Sequence, residues 1–264
     1  MIQITHKRIT NVLFLVVTLL VLWLSLSFYL VTARVGDIFI PALSQNLSYK
    51  VETTTDTRLN KFGEKIEIRT AQSQIPSTEI FLYLHGNAGP MPSTVEGLSQ
   101  FGTVISPAYP GFAGSSGIPT PDRLYDSVDV AMKYLLELGF DQSQITVVGH
   151  SLGGSAALYA GISYPKLKKI ILVSTYYSIQ SMCQINYYIF CILTGDVLNN
   201  SKLAPAMKVK VRQFHHPKDQ TVPFKQGRDL FNLIGASDKK FTDLQTVKDG
   251  DYHNGFTLAK ILAN

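Results

Sequence analysis

Apolar residues along the chain keep three different rhythms, and each predicts a different kind of element. From Val12 to Val31 the run VLFLVVTLLVLWLSLSFYLV carries no charge. As a helix it would span about 30 Å, the thickness of a bilayer's hydrocarbon core. Further on, short apolar runs at Glu79–Leu84, Thr103–Pro107, Ile145–Val148, Lys169–Val173, Val209–Phe214 and Lys240–Val247 predict strands, most of them covered on both faces. Between them, Leu124, Val128, Ala131, Leu135 and Leu138 recur at helical spacing from Pro121 to Leu138, with Gly139 just past the end. Ser93–Phe101, the segment after Ser151, Phe224–Ile234 and Gly255–Leu262 read as further helices. Two stretches near the start, Tyr49–Thr55 and Glu64–Thr70, are expected to be antiparallel edge strands. Strands alternating with helices predict an α/β fold, with a mainly parallel sheet covered by helices on both faces and one transmembrane helix in front of it.

The organisation expected is a short tail over 1–11, a membrane anchor over 12–31, and one domain over 32–264 with a cap-like insert at about 174–206. Val31-Thr32-Ala33 would also serve as a signal-peptidase site. The apolar run is longer than the roughly 7–15 residues of a signal h-region, which favours an uncleaved anchor. His6, Lys7 and Arg8 precede the span, while Arg34 and Asp37 follow it. The positive-inside rule then puts the N-terminus in the cytoplasm and the domain on the periplasmic or lumenal side of a single-pass membrane protein.

Charge and cysteine content narrow the chemistry. The net charge of +5 and the pI near 9.0 come from dispersed Lys and Arg, which suits an anionic membrane surface and gives no support to nucleic-acid binding. Neither C-x-x-C nor H-E-x-x-H occurs, so no metal is expected, and no organic cofactor either. Cys183 and Cys191 are the two cysteines. On one straight helix their Cα atoms would stand about 12 Å apart, beyond the roughly 7 Å limit for a disulfide, so a bond between them requires a turn.

The candidate chemistry centres on Ile145-Thr-Val-Val-Gly149-His150-Ser151-Leu152-Gly153-Gly154, a strand running into G-x-S-x-G and then a helix rich in small residues. That context marks a nucleophile elbow, in which a strained turn lifts the serine hydroxyl above the end of a parallel sheet. A hydroxyl is a weak nucleophile at neutral pH, so Ser151 calls for a histidine base and a carboxylate to orient it. Where such an elbow works, the order is serine, acid, histidine. His215, His216 and His253 follow the serine, and of these only His253 lies in a loop after the last expected strand. Asp219 stands just beyond the penultimate strand, in HHPKDQTVPF, which carries it to the same sheet edge; a helix-capping role is its plainer explanation. His215 and His216, adjacent on an extended chain, point apart and make a poor metal pair. The oxyanion would be held by the backbone N–H of Leu152 and, in the loop His85-Gly-Asn-Ala-Gly89, by that of Asn87.

LHGNAG, YPGFAGSSG, VVGHSLGG, HHPKDQTVP and DYHNGF follow one another behind a single N-terminal span. In that order they resemble the membrane-anchored serine hydrolases of the α/β-hydrolase superfamily, over roughly Glu79 to Leu262. The resemblance implies Ser151 as nucleophile, Asp219 as acid, His253 as base, and Asn87 and Leu152 as oxyanion donors. Pro110 departs from the pattern, standing where relatives often carry a basic residue. Members of the group hydrolyse carboxylic esters, lysolipids, acyl thioesters or short peptides, so the resemblance does not select the substrate. The function expected is hydrolysis of an ester or thioester with a lipid-like acyl group; a serine peptidase of the same fold and a catalytically silent scaffold are the alternatives. In the insert, Tyr187, Tyr188 and Phe190 are expected to line an acyl pocket together with Tyr109. Packing of that apolar segment on the domain, or on the bilayer surface, explains it as well.

Overall fold

The structure, a computed structural model, describes residues 2–36, 39–44, 47–187, 197–245 and 252–253. The apolar N-terminal run forms helix α1 (Ile2–Gly36), longer at both ends than the expected span. Its stretch Ile9–Leu26 has a mean hydropathy of 2.5, and none of that stretch is buried. By length and composition the helix is long enough to cross a membrane.

After α1 come strands β1 (Thr53–Leu59), β2 (Lys65–Ala71) and β3 (Ile80–Leu84), helix α2 (Pro92–Ser99), strand β4 (Thr103–Pro107) and helix α3 (Pro121–Glu137). The chain continues through β5 (Ile145–His150), α4 (Gly153–Ser163), β6 (Lys169–Val173), α5 (Ile179–Tyr187), α6 (Asn200–Leu203), β7 (Val211–His215), α7 (Phe224–Leu233) and β8 (Lys239–Asp243). Among the described residues the strands form one sheet in the order β1-β2-β4-β3-β5-β6-β7-β8. β2 pairs antiparallel with β1 and with β4; every other pair is parallel. This is the mainly parallel α/β sheet with an antiparallel edge that the strand pattern predicted.

Alternate residues of the central strands feed two cores, which is why these strands read as unbroken apolar runs. Ile80, Leu82 and Leu84 pack with Leu124, Val128 and Leu135 of α3 and Ala156 and Ala160 of α4, while Phe81 and Tyr83 face Val95 and Leu98 of α2 on the other side. α3 starts where the Thr120 side chain accepts the Arg123 N–H at 3.3 Å, with Pro121 at its first position. It ends before Gly139, whose φ of 89° suits the left-handed cap.

Three expected strands shift. The first lies at Thr53–Leu59 instead of Tyr49–Thr55, because the turn and not the alternation sets it. Asn60 Oδ1 accepts the N–H groups of Phe62 and Glu64, at 3.0 and 2.8 Å, and this turn pairs Leu59 with Lys65 and fixes the register. Tyr49 instead sends its hydroxyl to the Pro90 carbonyl at 3.2 Å. The penultimate strand begins at Val211 and runs to His215. The last one stops at Asp243, whose carboxylate captures the Gln245 N–H at 3.0 Å.

Both described ends of the expected insert are fastened to the domain. Tyr176 is buried with its hydroxyl 2.6 Å from Ser155 Oγ, and Asn200 Nδ2 donates to the Tyr176 carbonyl at 2.9 Å. Cys183 lies in α5. Tyr188, Phe190, Cys191 and the helix expected at Gly255–Leu262 lie outside the described residues.

Candidate active site

Strand β5 delivers Ser151 to the carboxyl end of the sheet, and the backbone turns there at a φ of +52°, a region non-glycine residues seldom occupy. Ser151 N–H donates to the Val173 carbonyl of the neighbouring strand at 2.9 Å, which pins the turn. Close approach accounts for the glycines around it. A Cβ on Gly153 would lie 1.9 Å from the Leu84 carbonyl oxygen, one on Gly149 would lie 2.5 Å from the Gly153 oxygen, and one on Gly154 would strike the Thr175 side chain at 2.2 Å. Strand, turn and helix therefore fit together only where these side chains are missing. Ser151 is 8% exposed, so its surroundings are largely closed to water.

Above the serine passes the loop that follows β3. A Cβ on Gly86 would lie 3.2 Å from His150 Nδ1 and 3.5 Å from Ser151 Cβ, so the loop lies directly against the elbow. Gly89 N–H closes the loop on the Gly86 carbonyl at 3.2 Å. Neither the Asn87 nor the Leu152 backbone N–H donates to another group among the described residues. Beneath the loop sits His85, fully buried. Its Nδ1–H donates to the Gly86 carbonyl at 2.7 Å, and its Nε2 accepts the Tyr109 N–H at 3.2 Å. Burial drives its pKa down to about 3, with His150 adding to the effect and the Gly86 bond opposing it, so the ring is a neutral strut at ordinary pH.

The loop after β7 presents Asp219, 5% exposed. Its Oδ1 accepts the N–H groups of Thr221 and Val222, at 2.9 and 2.8 Å, and its Oδ2 lies 2.9 Å from His253 Nδ1. Burial alone would raise the carboxyl pKa. Hydrogen bonds from His215 and His253, the positive charge His253 can carry and the Val222 N–H together outweigh burial and hold it well below the usual carboxylate range. His253 thus directs Nδ1–H at this carboxylate. Its backbone carbonyl accepts the His150 Nε2–H at 2.9 Å, and the two rings lie 5.0 Å apart, so His253 is tied to the residue preceding Ser151.

Of the residues expected in the site, Ser151, Leu152, Asn87, Asp219 and His253 thus gather at the carboxyl ends of β3, β5 and β7. Tyr109 does not line an open pocket. It is fully buried, its ring centroid 3.9 Å from that of His85 with the planes tilted by 32°, and its hydroxyl donating to the His85 carbonyl at 3.1 Å, so both its apolar and its polar groups are used in the core. Tyr187 closes α5; Tyr188 and Phe190 lie outside the described residues.

Three histidines take parts that motif reading missed. His85 braces the loop over the serine, and His150 holds His253. His215 is fully buried and donates Nε2–H to the Val222 carbonyl at 2.8 Å, 3.5 Å from Asp219 Oδ2. The only advance signal was that a histidine at the end of an apolar strand must be satisfied from within the fold. Among the described residues, no group of three or more His, Cys, Asp or Glu side chains is placed to share a metal ion.

Comparison with known proteins agrees with this architecture. A family model described as the alpha/beta hydrolase fold matches residues 79–188. Phosphatidylserine lipase ABHD16A of Rattus norvegicus is 35% identical over 75 residues, a match spanning 28% of this chain and only 13% of the lipase. Protein bem46 of Schizosaccharomyces pombe is 28% identical over 234 residues, covering 80% of this chain and 78% of its own. Among solved structures, the Pyrococcus furiosus esterase Pf2001 superposes with a TM-score of 0.60 at 13% identity, over 74% of this chain and 81% of that one. An acetyl xylan esterase from Paenibacillus sp. R4 gives 0.61 at 15% identity, over 88% and 96%. At those identities the structural likeness speaks for the fold.

Proposed function

We propose that this chain, which is an α/β-hydrolase, is a membrane-anchored serine hydrolase that cleaves the ester or thioester bond of lipid-like acyl substrates through an acyl-enzyme on Ser151. One observation carries the reading: a serine held at a φ of +52° directly after His150, whose Nε2–H is bonded to the carbonyl of a histidine whose own Nδ1 lies 2.9 Å from a buried carboxylate. That combination fits a nucleophile with a base oriented to serve it.

In the reaction, Ser151 Oγ attacks the acyl carbonyl carbon and its proton passes to His253 Nε2. Asp219 keeps the imidazole in the tautomer that can accept and stabilises the imidazolium that forms. The carbonyl oxygen, now an oxyanion, lies between the N–H groups of Asn87 and Leu152, both without an internal partner among the described residues. As the tetrahedral centre collapses, the bond to the leaving oxygen or sulfur breaks and His253 returns the proton to it. Water then gives His253 a proton, adds to the acyl carbon and releases the acid, restoring the Ser151 hydroxyl.

Support for the substrate class comes from the relative whose name is phosphatidylserine lipase, and from α1, whose residues 12–31 serve as the anchor in this reading. The N-terminus lies in the cytoplasm and the domain, 32–264, on the opposite side, because His6, Lys7 and Arg8 precede the span. A fluorophosphonate probe tests the chemistry, with covalent label expected on Ser151 and none on a Ser151→Ala variant. Equal labelling of the two leaves the fold as a scaffold. Faster turnover of aminoacyl-nitroanilides than of p-nitrophenyl esters would turn the assignment to a peptidase.

A further inference from the structure

The short segment that follows α1 is built into the roof of the candidate site. Ile40 N–H donates to the Asn87 carbonyl at 3.0 Å, so it grips the residue whose own N–H is the proposed oxyanion donor. Ser44 Oγ accepts the Ala113 N–H at 2.8 Å and donates to the Pro41 carbonyl at 2.7 Å. Its Cβ lies 2.4 Å from where a Cβ on Gly89 would be, a contact that only glycine permits. The Phe39 ring meets that of Phe112 edge-on at 6.5 Å. Only three residue steps separate Gly36 from Phe39, a reach of at most about 11 Å. The end of the apolar helix is therefore tethered beside the loop that covers Ser151.

Other features at this end of the sheet point the same way. Ile68 pairs with Pro107, the last residue of β4, so the β1–β2 hairpin tip projects past the carboxyl ends of the parallel strands. On that tip Leu59 is 67% and Phe62 42% exposed, with Lys61 and Lys65 exposed beside them. The loop after β4 is joined to the tip by Ser116 N–H donating to the Lys65 carbonyl at 2.9 Å, and it holds up Ile118, 72% exposed. Apolar tips flanked by lysines suit the headgroup boundary of a bilayer. Ile75 and Leu138 are exposed as well, but they follow the opposite end of β2 and the far end of α3, away from the anchor's exit.

We infer that the carboxyl-end face of the sheet docks on the bilayer from which α1 emerges, with Leu59, Phe62 and Ile118 entering the lipid surface, so that the site takes esters resident in the membrane. This rests on the serine-hydrolase reading and on α1 spanning a bilayer. The strap 39–44 sets the distance between membrane and site. Exposed apolar side chains that are costly in water then become contacts, and an acyl chain reaches Ser151 without crossing water.

The test uses the full chain in phosphatidylcholine vesicles and two fluorophosphonate probes, one lipid-tailed and held in the bilayer, the other short and water-soluble. Aspartates replacing Leu59, Phe62 and Ile118 together are expected to slow labelling by the bilayer probe about tenfold or more, with the soluble probe unchanged within about twofold. A flexible Gly/Ser insertion after Gly36, which leaves these side chains in place, should divide the two probes in the same direction. In a Trp23→Phe background, Ile118→Trp should emit at shorter wavelength on vesicles and be quenched by doxyl-labelled lipid. Equal behaviour of the two probes in both variants, or an emission indifferent to doxyl lipid, overturns the docking. Failure of both probes on the native chain, with quenching intact, would instead sink the hydrolase reading and leave the docking standing.

Discussion

The two sides of the candidate site are held by different forces. Around Ser151 the geometry is steric: Gly149, Gly153 and Gly154 each sit where a Cβ would lie 1.9 to 2.5 Å from a neighbouring atom, and the strained φ follows from that fit. Around Asp219 and His253 it is polar: a carboxylate fixed by Thr221, Val222, His215 and His253, with His253 further tied through His150. Steric sites are written in adjacent residues. Polar ones depend on loops that are distant along the chain, as Asp219 and His253 are, 34 residues apart.

Activity should show the largest contrast. Ser151→Ala removes the nucleophile and is expected to abolish both ester turnover and probe labelling. Asp219→Asn leaves the nucleophile in place but unsettles the imidazole tautomer, so kcat should fall by about 10⁴ while slow labelling of Ser151 survives. Steady-state kinetics alongside timed labelling checks this; full-rate turnover in Asp219→Asn would remove the acid from its role. A second contrast concerns folding. Gly153→Ala drives a methyl into the backbone of β3, and the loss should be about 3 kcal/mol or more, several degrees in Tm. Equal losses from Gly153→Ala and from an alanine at the exposed turn glycine Gly63 would break the steric account.

Much of the steric side, the strand, turn and helix around Ser151, was legible in the sequence, and the reason is physical. Parallel strands covered on both faces read as unbroken apolar runs, and an elbow places its glycines at fixed offsets. Chain order then pointed to Asp219 and His253 as the expected acid and base, and the structure brings the two within 2.9 Å. What escaped was set by contacts between distant segments. β1 was misplaced because the Asn60 turn, not the alternation of Tyr49–Thr55, fixes its register. Tyr109 looked like a pocket residue since nothing local reveals that His85 covers its ring. The grip of Ile40 on Asn87 spans the whole first quarter of the domain and leaves no mark in either segment.

Acid tests both sides at once. Unfolded, the His85 imidazole takes a proton near 6.5; folded, it stays neutral down to about 3. The unfolded state binds more protons in that window, so His85's share of stability is complete above 6.5 and drains as pH falls, by up to about 1.4 kcal/mol per pH unit. Asp219, whose folded pKa is depressed, contributes fully above the ordinary carboxylate value and loses that contribution only at lower pH still. Unfolding free energies measured between pH 7 and about 4.5 should therefore flatten in His85→Gln and keep their slope in Asp219→Asn. The reverse pattern would mean that the polar side, not the strut under the loop, sets the acid limit.

The smallest effect expected is also the most discriminating for the polar side. His215 is fully buried, with its Nε2–H given to the Val222 carbonyl at 2.8 Å and lying 3.5 Å from Asp219 Oδ2, so it braces both ends of the turn that presents the acid. Nδ1 faces Gly227, where a Cβ would lie 2.2 Å away, and among the described residues no hydrogen-bond partner reaches it. The ring is therefore a one-sided donor, and its value to the site lies in that single N–H. His215→Leu keeps most of the bulk and removes the donor, a loss of about 1 kcal/mol or roughly fivefold. If the bond only stabilises the fold, Tm drops and kcat per folded, probe-titrated site does not. If it positions Asp219, kcat per titrated site falls about fivefold with KM nearly unchanged, and His215→Gln, which can still donate an N–H, recovers part of it. A kcat per site unchanged in both variants would confine His215 to packing and leave the hydrogen bonds of Asp219 to Thr221, Val222 and His253 as its support among the described residues.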